Sequence, residues 1–427
     1  MVRVTIPRVL AAAVCAALVA YVFAYGPRLP VSAAGAAPTA NTLGPTPKSS
    51  QKASPVFPPP GKKFIGIMNG QGPYNFSPLD TFTRAVGHQP EVYEFSQGWA
   101  LNQFNRGILE QVADRGMLPM VSWEPWNYHK EPKVDAQRGY QPAYSLSNII
   151  DGKYDKYIRS WAEGVKTLGF TIAIRFAHEM NGYWYPWAIF ANGNKTYQYV
   201  EAWRHVHDIF TQVGAKNVIW VWSPNIIWNS FSDLAKLYPG NAYVNWIGLS
   251  GYYGTPGMGD YQTFNSIFDR TITELRTFTN KPLVITETGA TDVSGLMARW
   301  VTAMFKELPA HANIIGVIWY EDFDVVDWKV TDDPAAVAAF RQGFASPLYR
   351  FSWAPDMVPL LTVPRSGVRR PRRGVSSSPA AGATVSTSAP PRTGPTRKPS
   401  AHPSRSPSRA PSRSPSPTPS PSPDPTS

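Results

Sequence analysis

The sequence predicts an α/β protein organised as a single (β/α)8 TIM barrel, and three observations carry that expectation. Between residues 61 and 350, eight short β-type runs alternate with segments of helical period. The repeats occupy about 290 residues, a length suited to a barrel of this kind. Nearly every run ends in polar or aromatic residues, as strands do when their ends border one common mouth.

FIGIMNG (64–70) is the first run and EVYEFSQ (91–97) the second. NQFNRGILEQVADRG (102–116) follows with apolar residues at i, i+3, i+4 spacing and a terminal Gly, the signature of an amphipathic helix and its end. LPMVSWEP (118–125) is the third strand, and KYDKYIRSWAEGVKTLG (153–169) the next helix. TIAIRFAHE (171–179) leads through TYQYVEAWRHVHDIFTQVG (196–214) to NVIWVWSP (217–224). VNWIGLSGYY (244–253) precedes the helix FNSIFDRTITELRTF (264–278), and PLVITETG (282–289) precedes GLMARWVTAMFKEL (295–308). IIGVIWYED (314–322) closes the series.

The ends read differently. Residues 1–37 carry Arg3 and Arg8, then the apolar run Val9–Tyr25, then VSAAGAA. That order is the pattern of a secretory signal, and the run is also near the short limit for a membrane anchor. The expected localisation is therefore secreted or cell-surface. The one Cys of the chain, Cys15, lies within this run, so no disulfide is expected. Residues 38–60 and 364–427 are dominated by Pro, Ser, Thr, Ala and Arg and read as a disordered linker and tail. The formal charge of +12 belongs to these ends: only Asp356 and Asp424 of the 29 acidic residues lie outside 61–353. A folded body close to neutrality argues against a nucleic-acid partner. The termini are left as candidates for membrane or wall association, and the body is read as a monomer.

The chemistry concentrates in RFAHEMNGYWYPWA (175–188), where five aromatic residues surround one Arg, one His, one Glu and one Asn. Zinc ligation of the H-E-x-x-H type needs a second His at 182, where Gly182 stands, and the segment continues a strand rather than a helix. No metal and no cofactor are expected. GLSGY (248–252) misses a G-x-S-x-G nucleophile elbow because position 252 is Tyr. Carboxylates remain. Glu179 ends the fourth strand and Glu287 the seventh. Two carboxyl groups beside aromatic platforms are what glycoside hydrolysis requires: one protonates the leaving oxygen, and the other attacks the anomeric carbon or activates water. Trp and Tyr rings suit the flat C–H faces of sugars.

With these pieces in order, the chain resembles glycoside hydrolase family 26, retaining endo-β-glycanases on the (β/α)8 barrel best known as β-mannanases. The matching pieces are WEPW (123–126), R-x-x-HEMNG-x-WYPW (175–187), WVWSPN (220–225), YPG (238–240) with VNWIGLSGY, and ITETG (285–289). The resemblance implies that Glu179 is the acid/base and Glu287 the nucleophile. It further implies that His178 and Trp184 shape the sugar site, and that Tyr252 touches the nucleophile. Ala188 and Tyr253 depart from the family's usual Gly and Asn and bear on substrate choice. Family members cut β-1,4-mannans, mixed-linkage β-glucans or xylans, so the expected partner is a polysaccharide.

Further candidate contacts carry alternatives. Arg175 shares strand parity with Glu179 and points into the barrel, either to hold Glu287 ionised or to neutralise a buried carboxylate. Trp123, Trp126, Trp222 and Trp319 are candidate sugar platforms or packing residues. Glu124 is a third site carboxylate or a structural partner of Arg175. Asn181 joins the candidate binding residues. Asp322 and Asp324 read as loop acids able to meet sugar hydroxyls. A barrel that binds sugar without cleaving it is the non-enzymatic alternative, and the presence of both glutamates weighs against it.

Overall fold

Eight parallel strands close on themselves in chain order, each paired to the next and the last to the first. This is a computed structural model, and it describes residues 57–131, 137–227, 233–254, 260–291, 295–323 and 326–354. The signal or anchor segment, most of the linker, the tail and Asp324 lie outside the described residues. Among those described, no helix is long and apolar enough to cross a membrane.

The strands are β1 (Phe64–Met68), β2 (Val92–Gly98), β3 (Leu118–Glu124), β4 (Ile172–Phe176), β5 (Val218–Trp222), β6 (Trp246–Ser250), β7 (Leu283–Thr288) and β8 (Ile314–Tyr320). Each falls within one of the eight runs, save that β2 extends one residue further, to Gly98. The helices are α1 (Ser77–Val86), α2 (Arg106–Asp114), α3 (Leu146–Ile150), α4 (Asp155–Lys166), α5 (Thr196–Val213), α6 (Phe264–Leu275), α7 (Met297–Glu307) and α8 (Pro334–Phe344).

Three of these helices, α1, α3 and α8, exceed the sequence reading, and α1 and α8 have local reasons to form. In α1, Pro78 occupies the first turn, where a missing N–H costs nothing, and Leu79, Phe82 and Val86 make one buried stripe. In α8, the Asp333 side chain accepts the amide of Ala335 at the N-terminus, while Ala336, Ala339, Phe340 and Phe344 turn inward. The β5–β6 crossover departs from the regular pattern: among its described residues it carries only a 3-10 helix, Leu234–Leu237. Trp222 instead meets the rings of Tyr238 and Phe278 at 5.1 and 6.4 Å.

Alternation along each strand sorts side chains between the barrel interior and the helical layer. At the N-terminal end the interior is aromatic: Phe64 and Trp246 lie 6.0 Å apart, with Phe57 packed on both. Small residues make room above them. A Cβ on Gly248 would sit 2.5 Å from Ser223 Cβ and 2.8 Å from Thr286 Cγ2. The C-terminal end of the interior is polar, holding Glu94, Ser122, Arg175, Ser223 and Ser250, all buried. A dry aromatic base thus supports a polar mouth.

Gly248→Ala forces that contact within a closed ring of strands. It is expected to lower the unfolding free energy by about 1–3 kcal/mol, read as a lower urea midpoint with an unchanged slope.

Candidate active site

Arg175 organises the mouth. It sits in β4 with no solvent exposure, and its guanidinium reaches five other strands or strand ends. Nε donates to Ser223 Oγ at 3.0 Å, and Nη2 to Ser250 Oγ at 2.5 Å. Nη1 donates to Glu287 Oε2 at 2.7 Å, Glu94 Oε1 at 3.1 Å and Ser122 Oγ at 3.2 Å. A buried cation so placed is stabilised only by such pairing, since an uncompensated one costs several kcal/mol.

The two glutamates singled out by the motifs receive different environments. Glu287 accepts the Arg175 bond on one oxygen and the Tyr252 hydroxyl, at 2.5 Å, on the other. Glu179 accepts Trp184 Nε1 at 2.8 Å on Oε2 and Asn225 Nδ2 at 2.9 Å on Oε1. Both of those donors are neutral. Burial pushes the Glu179 carboxyl upward, the Glu287 charge adds to this, and Arg175 opposes both. One carboxylate is thus paired with a cation and a phenol, and the other sits between neutral donors with its pKa raised.

The backbone at Glu179 is also unusual. Ala177 and Glu179 have φ of 44° and 54°, the left-handed region that side chains other than Gly rarely adopt. Bonds to both neighbouring strands hold it there: Ala177 N donates to Trp123 O at 3.2 Å and Glu179 N to Ser223 O at 2.7 Å. Such strain persists where surrounding structure over-determines it. Gly182 permits the return of the chain, because a Cβ there would lie 2.6 Å from the Trp184 ring.

His178 is buried and neutral, its pKa well below the usual imidazole value through burial and the Arg175 charge. Its Nε2 lies 3.2 Å from the Tyr185 hydroxyl, and its Nδ1 has no partner among the described residues. Tyr185 stacks on Trp187 at 4.4 Å, and Trp187 donates to His178 O at 2.6 Å. The Trp126 ring meets Tyr185 and Trp187 edge-on, while its Nε1 donates to Glu124 Oε2. Burial lifts Glu124 to about 7, with bonds from Ser96 and Trp126 opposing.

Several sequence expectations change here. Trp123, Trp222 and Trp319 are not platforms in the mouth: each is fully buried and turned outward into the helical layer. Trp123 packs on Trp99, Trp161 and Phe210, and Trp319 on Trp300 and Phe340. Their inward neighbours Ser122, Ser223 and Tyr320 have the opposite parity. Asn181 exchanges two bonds of 2.9 Å with the backbone of Asn225, so it positions the donor to Glu179 rather than meeting a ligand. Arg175 points into the barrel beneath the site, with no exposure, so it braces Glu287 rather than meeting a ligand. Its second carboxylate partner is Glu94, not Glu124.

Glu94 was not legible as a site residue. It is fully buried, accepts Ser122 Oγ at 2.6 Å, and has one oxygen without a partner among the described residues. Burial pushes it up to about 7 against the pull of Arg175. The usable signal was its place in β2, two residues from the inward Ser96. Trp328 is a second omission. It packs 4.7 Å from the Tyr252 ring, and its carbonyl accepts Trp319 Nε1. Asp322 accepts the Gly70 amide, so its carboxylate is engaged in joining two loops. Among the described residues, no group of three metal-ligating side chains assembles.

Comparison with known proteins adds the lineage. The model for glycosyl hydrolase family 26 matches residues 139–317. Endoglucanase H of Acetivibrio thermocellus is 31% identical over 330 residues, 73% of this chain but 34% of that protein. The chain therefore spans about a third of the length of that relative. A mannan endo-1,4-beta-mannosidase of Bacillus subtilis is 24% identical, covering 66% of this chain and 76% of the relative. Among solved structures, a β-mannanase from Bacteroides ovatus superposes with a TM-score of 0.51 at 16% identity, covering 68% and 90% of the two chains. That likeness bears on the fold.

Trp319→Ala is expected to cost about 3–5 kcal/mol of stability and leave the KM for polysaccharide unchanged, separable by thermal melting and initial rates. Glu94 makes a pH prediction. Its folded pKa of about 7 lies above the 4.5 of an ordinary Glu, so its contribution is present below 4.5 and is lost as pH rises through 7. Glu94→Gln keeps the acceptor for Arg175 and cannot ionise. The wild-type melting temperature should fall more steeply between pH 5 and about 8 than that of the variant.

Proposed function

Because the chain belongs to glycosyl hydrolase family 26, we propose that it is a retaining endo-β-glycan hydrolase whose first substrate class is β-1,4-mannan. The carrying observation is the asymmetry of the two carboxylates, one held by Arg175 and Tyr252 and the other by Trp184 and Asn225. Such a division separates nucleophile from acid.

Glu287 attacks the anomeric carbon while the bond to the leaving oxygen breaks, and Glu179 gives that oxygen its proton. The product of this step is a glycosyl ester on Glu287. Glu179, now ionised, takes a proton from water as the water attacks the same carbon, and Glu287 leaves as carboxylate. Burial of Glu179 supports the first half-reaction and its neutral donors the second.

A second reading, cleavage of a mixed-linkage β-glucan, is favoured by the 31% identity to an endoglucanase. That match covers a third of the relative, so its name is weakly tied to the matched stretch. Mannan is retained as the first reading for that reason. The basic, apolar and small-residue order of residues 1–37 supports export or surface attachment.

Reducing-end release from galactomannan, mixed-linkage β-glucan and xylan tests the substrate class, and release from none of them removes the reading. Proton NMR of the first-formed product tests retention. Glu287→Ala should lower turnover on every substrate by several orders of magnitude. Glu179→Ala should still glycosylate with an aryl glycoside bearing an activated leaving group, and azide should restore turnover as a β-glycosyl azide. Wild-type polymer cleavage by Glu179→Ala would remove Glu179 as the proton donor.

A further inference from the structure

The barrel encloses an acidic side chain that the proposed mechanism does not use. Glu94 stands in β2 with no exposure, and it bonds to the same nitrogen of Arg175 as Glu287 does. That nitrogen, Nη1, has two hydrogens and three acceptors: Glu287 Oε2 at 2.7 Å, Glu94 Oε1 at 3.1 Å and Ser122 Oγ at 3.2 Å. The remaining acceptors of the guanidinium, Ser223 and Ser250, are hydroxyls. Among the described residues, Glu287 and Glu94 are thus the carboxylates bonded to this buried cation.

The two-step reaction changes the charge on one of them. Glu287 enters the first step as a carboxylate. Its bond to the anomeric carbon forms while that carbon's bond to the leaving oxygen breaks, and the proton of Glu179 goes to that oxygen. An ester carries no charge, so Arg175 loses its anion at 2.7 Å. Glu179 is then an anion, but its bonds run to Trp184 and Asn225. A buried guanidinium without a bonded anion is costly. Glu94 is already in place on Nη1, with Ser122 Oγ donating to the same carboxyl oxygen at 2.6 Å. Its other oxygen has no partner among the described residues.

The surroundings respond in the matching direction. Burial pushes Glu94 up to about 7, with the Glu287 charge adding to this and Arg175 opposing it. Esterification removes the Glu287 charge and leaves Nη1 to Glu94, and both changes favour the Glu94 carboxylate. The other ionisable groups of this part of the mouth are Glu124 at the end of β3, Glu179 and the neutral His178 after β4, and Tyr252 beside Glu287. The neighbouring strand β1, FIGIM, supplies none.

We propose that Glu94 is a positioning residue for the covalent step: it takes over as counter-ion of Arg175 while Glu287 is esterified, and keeps the guanidinium seated until Glu287 leaves as carboxylate. This role rests on the function proposed above. A proton carried by Glu94 at the outset passes to water as the ester forms and returns when the ester is cleaved.

The test follows ester formation directly. Full-length protein is mixed with dinitrophenyl β-mannobioside, or with the β-cellobioside if mixed-linkage glucan proves to be the substrate. The burst of phenol gives the rate of the first step. Wild type is compared with Glu94→Gln, which keeps an acceptor for Arg175 and cannot ionise, and thermal melting verifies folding at each pH. A charge at this range shifts a neighbour's pKa by about one unit or more, a factor of about ten in equilibrium, and the transition state carries part of it. The wild-type advantage in burst rate should be smallest near about pH 5 and reach about 3–10-fold near about pH 8. A merely structural role gives a ratio that does not change with pH, and that outcome overturns the proposal. Ser122→Ala serves if Glu94→Gln does not fold. It removes a donor to the Glu94 carboxylate, so its burst rate should rise toward the wild-type plateau at higher pH than wild type does. Parallel pH profiles for wild type and Ser122→Ala would count against the role equally. No burst and no sugar mass on the wild-type protein would remove the retaining reading and this role with it, whereas a burst with a flat ratio removes this role alone.

Discussion

The mouth of this barrel depends on one buried cation. Arg175 has no contact with solvent and distributes its donors to side chains on or at the ends of β2, β3, β5, β6 and β7. Removing it would leave two carboxylates buried in mutual repulsion and three hydroxyls short of a partner. The cation also limits the charge that its neighbourhood can hold. One guanidinium offsets one carboxylate well. Glu287 takes the shorter bond together with the Tyr252 phenol, while burial drives Glu94 toward its neutral form. Position in the network, more than residue type, sets the surroundings of each glutamate.

Around that centre the polar groups act in relays. Asn181 holds Asn225, which holds Glu179. Trp328 packs against Tyr252, which holds Glu287. Glu321 accepts the amides of Val330 and Thr331 and so ties down the segment that presents Trp328. Each carboxylate of the proposed pair is thus placed by a side chain that is itself placed by another.

All eight strands were readable as apolar runs, and Glu179 and Glu287 stood out because carboxylates at such run ends need a reason. Apart from Arg175, whose parity with Glu179 turned it inward, the facing of individual residues was not readable. In a parallel barrel both faces of a strand are covered, so apolar residues occupy both parities and alternation gives no sign of which is inside. Trp123, Trp222 and Trp319 were left open between platform and packing for this reason, and Glu94 was passed over for the same one. Helix α1 was missed because its stripe of Leu79, Phe82 and Val86 is diluted by Ser, Thr and Asp. The β5–β6 crossover defeats the repeat pattern because Tyr238 and Phe278 cover Trp222 where a helix would otherwise lie.

The outward turn of those indoles has a spectroscopic consequence. Trp123, Trp161, Trp187, Trp203, Trp222, Trp300 and Trp319 are the largest fully buried side chains besides Arg175, and most of them fill the seam between barrel and helices. Indoles so buried are expected to emit at shorter wavelength than exposed ones, and unfolding is expected to shift that emission to the red. A ligand beside Glu179 would lie next to Trp184 and near Trp187, while the other six of these indoles face away from it. The native fluorescence is therefore a gauge of whether the helices still clasp the barrel, and a poor gauge of what the barrel holds.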